Sequence, residues 1–261
     1  MTDTFPEKQN PDWWSTFHVM EMADLFLERS SPQELEETVD FLMDQLSLSS
    51  GMRVYDQCCG IGTLTHELAK QGLAAIGTDL CEMYIDRAKQ TGSELNQECQ
   101  FFCADAFEFV PDAPCHAAFN WYSSFGYARH DDRNQEMIQR AWDCLVPGGK
   151  FAMDVPNFPG LIRNFQFHLV RSGQSAGREV TCVRESQIDW SSGQLKQKWQ
   201  WISADAPIVI RESALRIYWP HQIADMLLSV GFVDIKMYGD LDRSKLKMDS
   251  PRLILIATRP Q

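Results

Sequence analysis

Apolar positions along this chain alternate between two periods. Leu35, Val39, Leu42 and Leu46 recur at helical spacing, and Ser31-Pro32-Gln33-Glu34 ahead of them supplies a capping serine and a first-turn proline. The spacing predicts a helix to about residue 45. An earlier stretch, 12–28, reads as one helix with an aromatic start at Trp13, Trp14 and Phe17, and residues 1–11 read as a flexible tail. From residue 53 onward, short strand-like and longer helix-like runs take turns. Strands are predicted over 53–56, 74–78, 100–104, 116–120 and 151–155. Helices are predicted over 60–70, 83–91 and 134–145, the last followed by the turn Pro147-Gly148-Gly149.

Strands separated by helices imply a parallel sheet covered on both faces. The pattern changes after Pro156. Runs at 179–190 and 194–203 flank the tight turn Ser191-Ser192-Gly193, and a run at 208–218 can join them, which implies antiparallel pairing. A helix over 221–230 ends at Gly231, and strands over 233–238 and 253–258 close the chain. The expectation is therefore an α/β fold with a mostly parallel seven-stranded sheet. Its parts would be an N-terminal helical lid (1–50), a core (51–155), an antiparallel insertion or substrate lid (156–218) and a C-terminal segment completing the sheet (219–261).

Composition narrows the function. The 261 residues are 44% hydrophobic and 23% charged, as in an ordinary globular protein. No apolar run of about 18 residues is present, so no membrane span is expected. The polar start, with Asp3, Glu7 and Lys8, lacks the apolar stretch of a secretory signal, which points to the cytoplasm. With 36 acidic against 24 basic residues and a net charge of −12, no nucleic-acid partner is expected. None of the eight cysteines forms a C-x-x-C pair, so they are expected to be reduced and structural, and no metal is expected.

The chemistry concentrates in Asp56-Gln57-Cys58-Cys59-Gly60-Ile61-Gly62, which runs from a strand through a glycine turn into a helix. Glycine lets backbone approach a ligand closely, and a helix start offers free N–H groups to a carboxylate. Asp56 can bind an ammonium group. Together they suit a ligand bearing both an amine and a carboxylate. Asp79 follows the second strand, where a carboxylate can accept both hydroxyls of a ribose; it can equally cap the next helix. Asp105 and Ala106 follow the third strand, where an adenine amine would meet an acid. A dinucleotide fingerprint is the rival reading. Gly60 and Gly62 match its first two glycines, but Thr65 stands at the third.

These residues resemble the class I S-adenosylmethionine-dependent methyltransferases of small-molecule type, well over 51–155 and more loosely over 231–258. The resemblance implies a Rossmann-like sheet. It also implies that the turn holds the methionine part, Asp79 the ribose and Asp105-Ala106 the adenine, with Leu80 and Met83 flanking the ring. Asn120 would support the amino-acid end of the cofactor. Tyr122, Phe125 and Tyr127, in Asn120-Trp121-Tyr122-Ser123-Ser124-Phe125-Gly126-Tyr127 after the fourth strand, would shape an acceptor pocket. The N-terminal aromatics Trp13, Trp14 and Phe17 would close over the cofactor, with Trp14 also counted among the acceptor-binding residues. The inserted strands carry Trp190, Trp199, Trp201, Arg211, Arg216 and Tyr218, and an arginine there suits an acidic acceptor or a surface ion pair. Candidate bases are His130, His168, His221, Tyr122 and Tyr218, with no catalytic residue singled out. The expected function is N- or O-methylation of a small molecule by a monomer or homodimer, with S-adenosylhomocysteine as product. The alternatives are a nicotinamide-dependent oxidoreductase and a non-catalytic S-adenosylmethionine-binding protein.

Overall fold

The computed structural model describes residues 10–28, 31–95 and 99–261; residues 1–9, most of the tail expected to be flexible, lie outside them. The N-terminal segment is not the single helix predicted over 12–28. It runs as α1 (Trp14–Phe17), α2 (Met20–Met22) and a π-helical turn over Ala23–Leu27, with extended backbone at His18 and Val19 between the first two. Packing overrides helical periodicity here. Trp13, Phe17, Val19, Met22 and Leu25 are all buried in one cluster against a neighbouring sheet, which no unbroken helix could present on one stripe. α3 (Pro32–Gln45) begins as its sequence dictates, with Ser31 Oγ accepting the Glu34 N–H at 3.3 Å and Pro32 in the first turn.

The chain then alternates through β1 (Arg53–Gln57), α4 (Thr63–Lys70), β2 (Ala74–Asp79), α5 (Glu82–Glu94), β3 (Gln100–Cys103), β4 (Cys115–Asn120), α6 (Asp131–Cys144) and β5 (Leu145–Val155). A short α7 (Phe158–Arg163) leads into β6 (His168–Ser175), β7 (Arg178–Asp189), β8 (Gln194–Ser203) and β9 (Ala206–Arg216). Then come α8 (Pro220–Val230), β10 (Val233–Tyr238) and β11 (Leu253–Thr258). The main sheet has seven strands in the order β10-β11-β5-β4-β1-β2-β3, and only β11 runs against the rest.

Period-2 alternation sorts the strand side chains onto two faces. Tyr55, Ile76, Phe151, Met153 and Leu255 pack on one face with Ile138 of α6 and Leu227 of α8. Val54, Ala75, Phe119, Ala152 and Ile254 pack on the other with Leu42 of α3 and Leu68 of α4. The insertion is a four-stranded antiparallel meander, β6-β7-β8-β9, where three strands were expected. β6, His-Leu-Val-Arg-Ser-Gly-Gln-Ser, is an edge strand with largely exposed side chains, so it has no apolar alternation to reveal it. Among the described residues, no helix is long and apolar enough to cross a membrane.

Candidate functional site

β1 and β4 are neighbours, and the chain leaves them toward opposite edges of the sheet, so a crevice opens beyond their carboxyl ends. Asp56 stands there, buried, with Oδ2 accepting the Thr65 hydroxyl at 2.6 Å. Burial pushes its carboxyl from 3.8 up to about 7, against the Thr65 hydrogen bond and with help from the Asp79 charge. The turn that follows has left-handed backbone at Cys58, Gly60 and Gly62. α4 starts at Thr63 rather than at Gly60, with Gly62 as its cap. The two glycines answer different needs. A Cβ on Gly62 would lie 2.8 Å from the Phe101 ring, so Gly62 serves close packing of the turn on β3. Gly60 borders the open crevice, where its bare backbone can meet a ligand.

Asp79 locks this turn from the next strand. Its Oδ2 accepts the Gly60 N–H and its Oδ1 the Cys81 N–H, both at 2.9 Å. The helix-cap and site readings of Asp79 thus coexist. Desolvation pushes its pKa up, while His18 and these N–H groups pull it down. Burial likewise pushes the Cys58 and Cys59 thiols up, with the Asp56 and Asp79 charges adding to it, so both stay protonated and are poor nucleophiles.

A cavity of about 980 Å³, counting its open mouth, lies over Asp56, Cys58, Cys59, Gly60 and Asp79. Its far wall is Trp121, Tyr122, Ser124 and Tyr127, and its roof is Phe17, His18, Met22 and Phe26 with Trp199 of β8. An adjoining hollow shares Cys58, Asp79, His18 and Tyr127 and adds Leu80, Asp105, Ala106, Phe107 and Trp14. Asp105 is fixed there by the Phe107 N–H, 2.8 Å from its Oδ1. Met83 borders a third hollow with Trp14, His18 and Leu80. Asn120 lies beneath, with Nδ2 donating to the Gln57 carbonyl at 3.3 Å and the Ser124 carbonyl at 3.5 Å, strapping β4 to β1. Tyr122 and Ser123 are consecutive left-handed residues at the end of β4, the kind of backbone strain that collects at ligand sites.

Three of the residues assigned to the acceptor lie elsewhere. Phe125 is buried against Tyr218, ring centroids 5.6 Å apart, beside a separate small cavity that Arg216 also borders. Arg216 Nε donates to Asp131 at 2.9 Å, its Nη1 holds the Ser192 carbonyl, and the Tyr218 hydroxyl reaches Asp131 at 2.8 Å. These groups are spent on joining β9 to α6. His130, His168 and His221 are exposed and none borders these hollows. The imidazole that sequence reasoning missed is His18, which borders all three hollows. Its Nδ1 lies 3.3 Å from the Trp14 carbonyl, and its ring lies against Tyr127 and edge-on to Tyr84. Burial lowers its pKa, against the Asp79 charge. No periodic signal marks it, because the break between α1 and α2 is what carries it over Asp79.

Residues 54–149 match the family described as a methyltransferase domain. Over these residues the chain is a methyltransferase domain, and the comparisons support the class I, S-adenosylmethionine-dependent type. This methyltransferase domain is similar to that of the ubiquinone biosynthesis O-methyltransferase of Coxiella burnetii, 28% identical over 158 residues, which are 60% of this chain and 60% of that protein. It is also 28% identical over 148 residues to the S-adenosyl-L-methionine-dependent Diels-Alderase iccD of Talaromyces variabilis, covering 55% of this chain and 45% of that protein. The chain thus spans less than two thirds of the length of these curated relatives. Among solved structures, the CcbJ methyltransferase of Streptomyces caelestis has a TM-score of 0.76 at 15% identity, over 95% of this chain and 98% of that one, a likeness of fold.

Proposed function

We propose that this protein transfers the methyl group of S-adenosylmethionine to a nitrogen or oxygen of a small-molecule acceptor, releasing S-adenosylhomocysteine. The observation that carries the reading is the placement of Asp56, Asp79 and Asp105. They stand at the ends of three adjacent strands, β1, β2 and β3, around contiguous hollows that end in an aromatic wall. The residues fit the cofactor. Asp56 offers a carboxylate to an ammonium, the Gly60 backbone leaves room for the methionine part, and Asp79 can take ribose hydroxyls. Asp105, Ala106, Leu80 and Met83 surround the place for adenine, with Cys58 and Cys59 in the turn and Asn120 and Gly62 shaping it from below.

When bound, the sulfonium supplies an electrophilic methyl carbon. The chain must hold the acceptor in line with it, and that positioning can supply much of the rate. Tyr122 and Tyr127 form the wall against which an acceptor would be held, and Trp14 borders the adjoining hollow rather than that wall. His18, kept neutral by burial, can take the proton that the acceptor loses. In this division of labour the strand ends and glycine turn of 51–155 hold the cofactor, 219–261 completes the sheet beneath them, and Tyr122 and Tyr127 with 1–50 and 156–218 hold the acceptor. Thr65 argues against the nicotinamide reading, since it replaces the third fingerprint glycine and its hydroxyl is committed to Asp56. The reading includes a cytoplasmic monomer or homodimer without a nucleic-acid partner. Its support is the net charge of −12 and eight free cysteines suited to a reducing compartment.

Isothermal titration with S-adenosylmethionine, S-adenosylhomocysteine and NADH tests the cofactor. Binding of the first two, with a dissociation constant on the order of 1 μM, and none of NADH is expected. NADH binding without either adenosyl compound would overturn the proposal. Label transfer from methyl-tritiated S-adenosylmethionine to an acceptor panel separates an enzyme from a protein that only binds the cofactor.

A further inference from the structure

Leu169, Arg184, Trp199 and Arg211 are paired in one row across β6, β7, β8 and β9. Paired residues in a sheet point to the same face, so Arg184 and Arg211 flank Trp199. That face is turned toward the cavity, because Trp199 forms part of its roof and packs on Phe17 and Phe26. The Arg184 guanidinium lies 5.1 Å from the centre of the Trp199 ring. The indole is pinned in turn by its Nε1, which donates to Ser213 Oγ at 3.2 Å.

The two arginines differ from others in the protein. Arg87, Arg216 and Arg252 each hold a carboxylate at 2.9 Å or less. Arg184 and Arg211 have no carboxylate within ion-pair distance among the described residues, and the Nε of each is enclosed without a hydrogen-bond partner, although Arg211 Nη1 donates to the Ile210 carbonyl at 2.9 Å. Carboxylates are not scarce in a chain with 36 acidic residues. Burial without a counter-charge pulls the Arg184 pKa down. An enclosed guanidinium nitrogen without a partner is costly, and a guanidinium fork fits carboxylate or phosphate oxygens in a planar, two-bond geometry.

We propose that Arg184 and Arg211, on either side of Trp199, bind an anionic group of the acceptor, a carboxylate or a phosphate. The acceptor's apolar or aromatic body would lie against Trp199, and its reacting atom would reach back toward Tyr122 and Tyr127. This rests on the methyl-transfer reading for the name acceptor, but the anion site is testable without it.

The test titrates benzoate, phenyl phosphate and the neutral benzamide into the protein saturated with S-adenosylhomocysteine, following the indole N–H resonances by NMR. The variants are Arg184→Met and Arg211→Met, which keep an apolar stem beside Trp199, and Arg184→Lys, which keeps the charge without the fork. At least one anion is expected to bind at concentrations on the order of 1 mM and to move the Trp199 indole signal. Which anion binds better identifies carboxylate or phosphate as the native group. Benzamide and each Met variant should lose about tenfold in affinity, and Arg184→Lys less. S-adenosylhomocysteine affinity should not change in any variant. Equal binding of benzamide and the anions, no anion binding, or anion binding unaffected by the folded Met and Lys variants would overturn the proposal. Failure of S-adenosylhomocysteine to bind, with arginine-dependent anion binding intact, would instead sink the methyl-transfer reading and leave the anion site standing.

Discussion

Protonation of a single buried carboxyl should govern how cofactor affinity changes with pH. Asp56 is pushed up to about 7 in the ligand-free protein, chiefly by burial. An ammonium group needs the ionised form. At pH 8 about nine tenths of Asp56 is ionised, and at pH 6 about one tenth. Apparent affinity for S-adenosylhomocysteine should therefore weaken about tenfold from pH 8 to pH 6, or about 1.4 kcal/mol, and about tenfold more by pH 5. Asp79 acts in the same sense, because its pKa is also raised. Cys58 and Cys59 are raised well above 9.0 and stay neutral across this window. Isothermal titration at pH 6, 7 and 8, in two buffers of different ionisation enthalpy, reads both the affinity and the proton released at low pH. Asp56→Asn should bind weakly at every pH and lose most of the dependence. An affinity that stays constant from pH 6 to 8, with heats independent of buffer, would refute the reasoning. Linkage gives a second sign. A raised folded-state pKa contributes stability that is full below 3.8 and lost as pH rises through about 7. Ligand-free Asp56→Asn should therefore melt higher than wild type at pH 8, by at most about 4 kcal/mol of stability.

Three further outcomes are expected. Gly62→Ala would place a Cβ 2.8 Å from the Phe101 ring at a φ of +78°, so it should cost about 1–3 kcal/mol in a denaturant titration; an unchanged midpoint would deny the packing role. Arg216→Met breaks the ion pair with Asp131, so it should lower the melting temperature by a few degrees, about 1 kcal/mol, and leave S-adenosylhomocysteine affinity unchanged. A loss of affinity with no loss of stability would return Arg216 to the site. The His18 imidazole should titrate below 6.5 in an NMR pH series of the ligand-free protein, and a value above 6.5 would show that the Asp79 charge outweighs burial.

The core was legible because two independent signals agreed there. Alternating strands such as Val54-Tyr55-Asp56 feed both faces of the sheet, and glycines and acids fall at the strand ends, so periodicity and turn chemistry marked the same places. Asp56, Asp79 and Asp105 could be expected to stand together because the sheet fixes where strand ends meet. The roof had no such markers. His18 lies in a backbone break created by packing, and β6 is largely exposed on both sides, with no apolar alternation. Phe125 and Tyr218 failed for a related reason: an aromatic near a strand end reads the same whether it faces the crevice or the core, and both face the core.

This difference bears on how the site works. The half proposed to hold the cofactor is built on backbone, since the Asp79 side chain holds the N–H of Gly60 and the Asn120 side chain holds the carbonyl of Gln57. Such a half can be rigid before any ligand arrives. The roof is built by side chains from two distant stretches that interlock through rings, with Phe17 and Phe26 each packing on Trp199. The Leu27 methyl comes within 3.3 Å of where a Cβ on Gly60 would stand, so the same stretch also reaches down onto the turn. A ligand seated on Gly60 would therefore also meet Leu27, and the same N-terminal segment meets the inserted sheet at Trp199. The glycine turn and the inserted sheet are therefore joined by direct contact, through α1, the π-helical turn and β8, and not only through the main sheet.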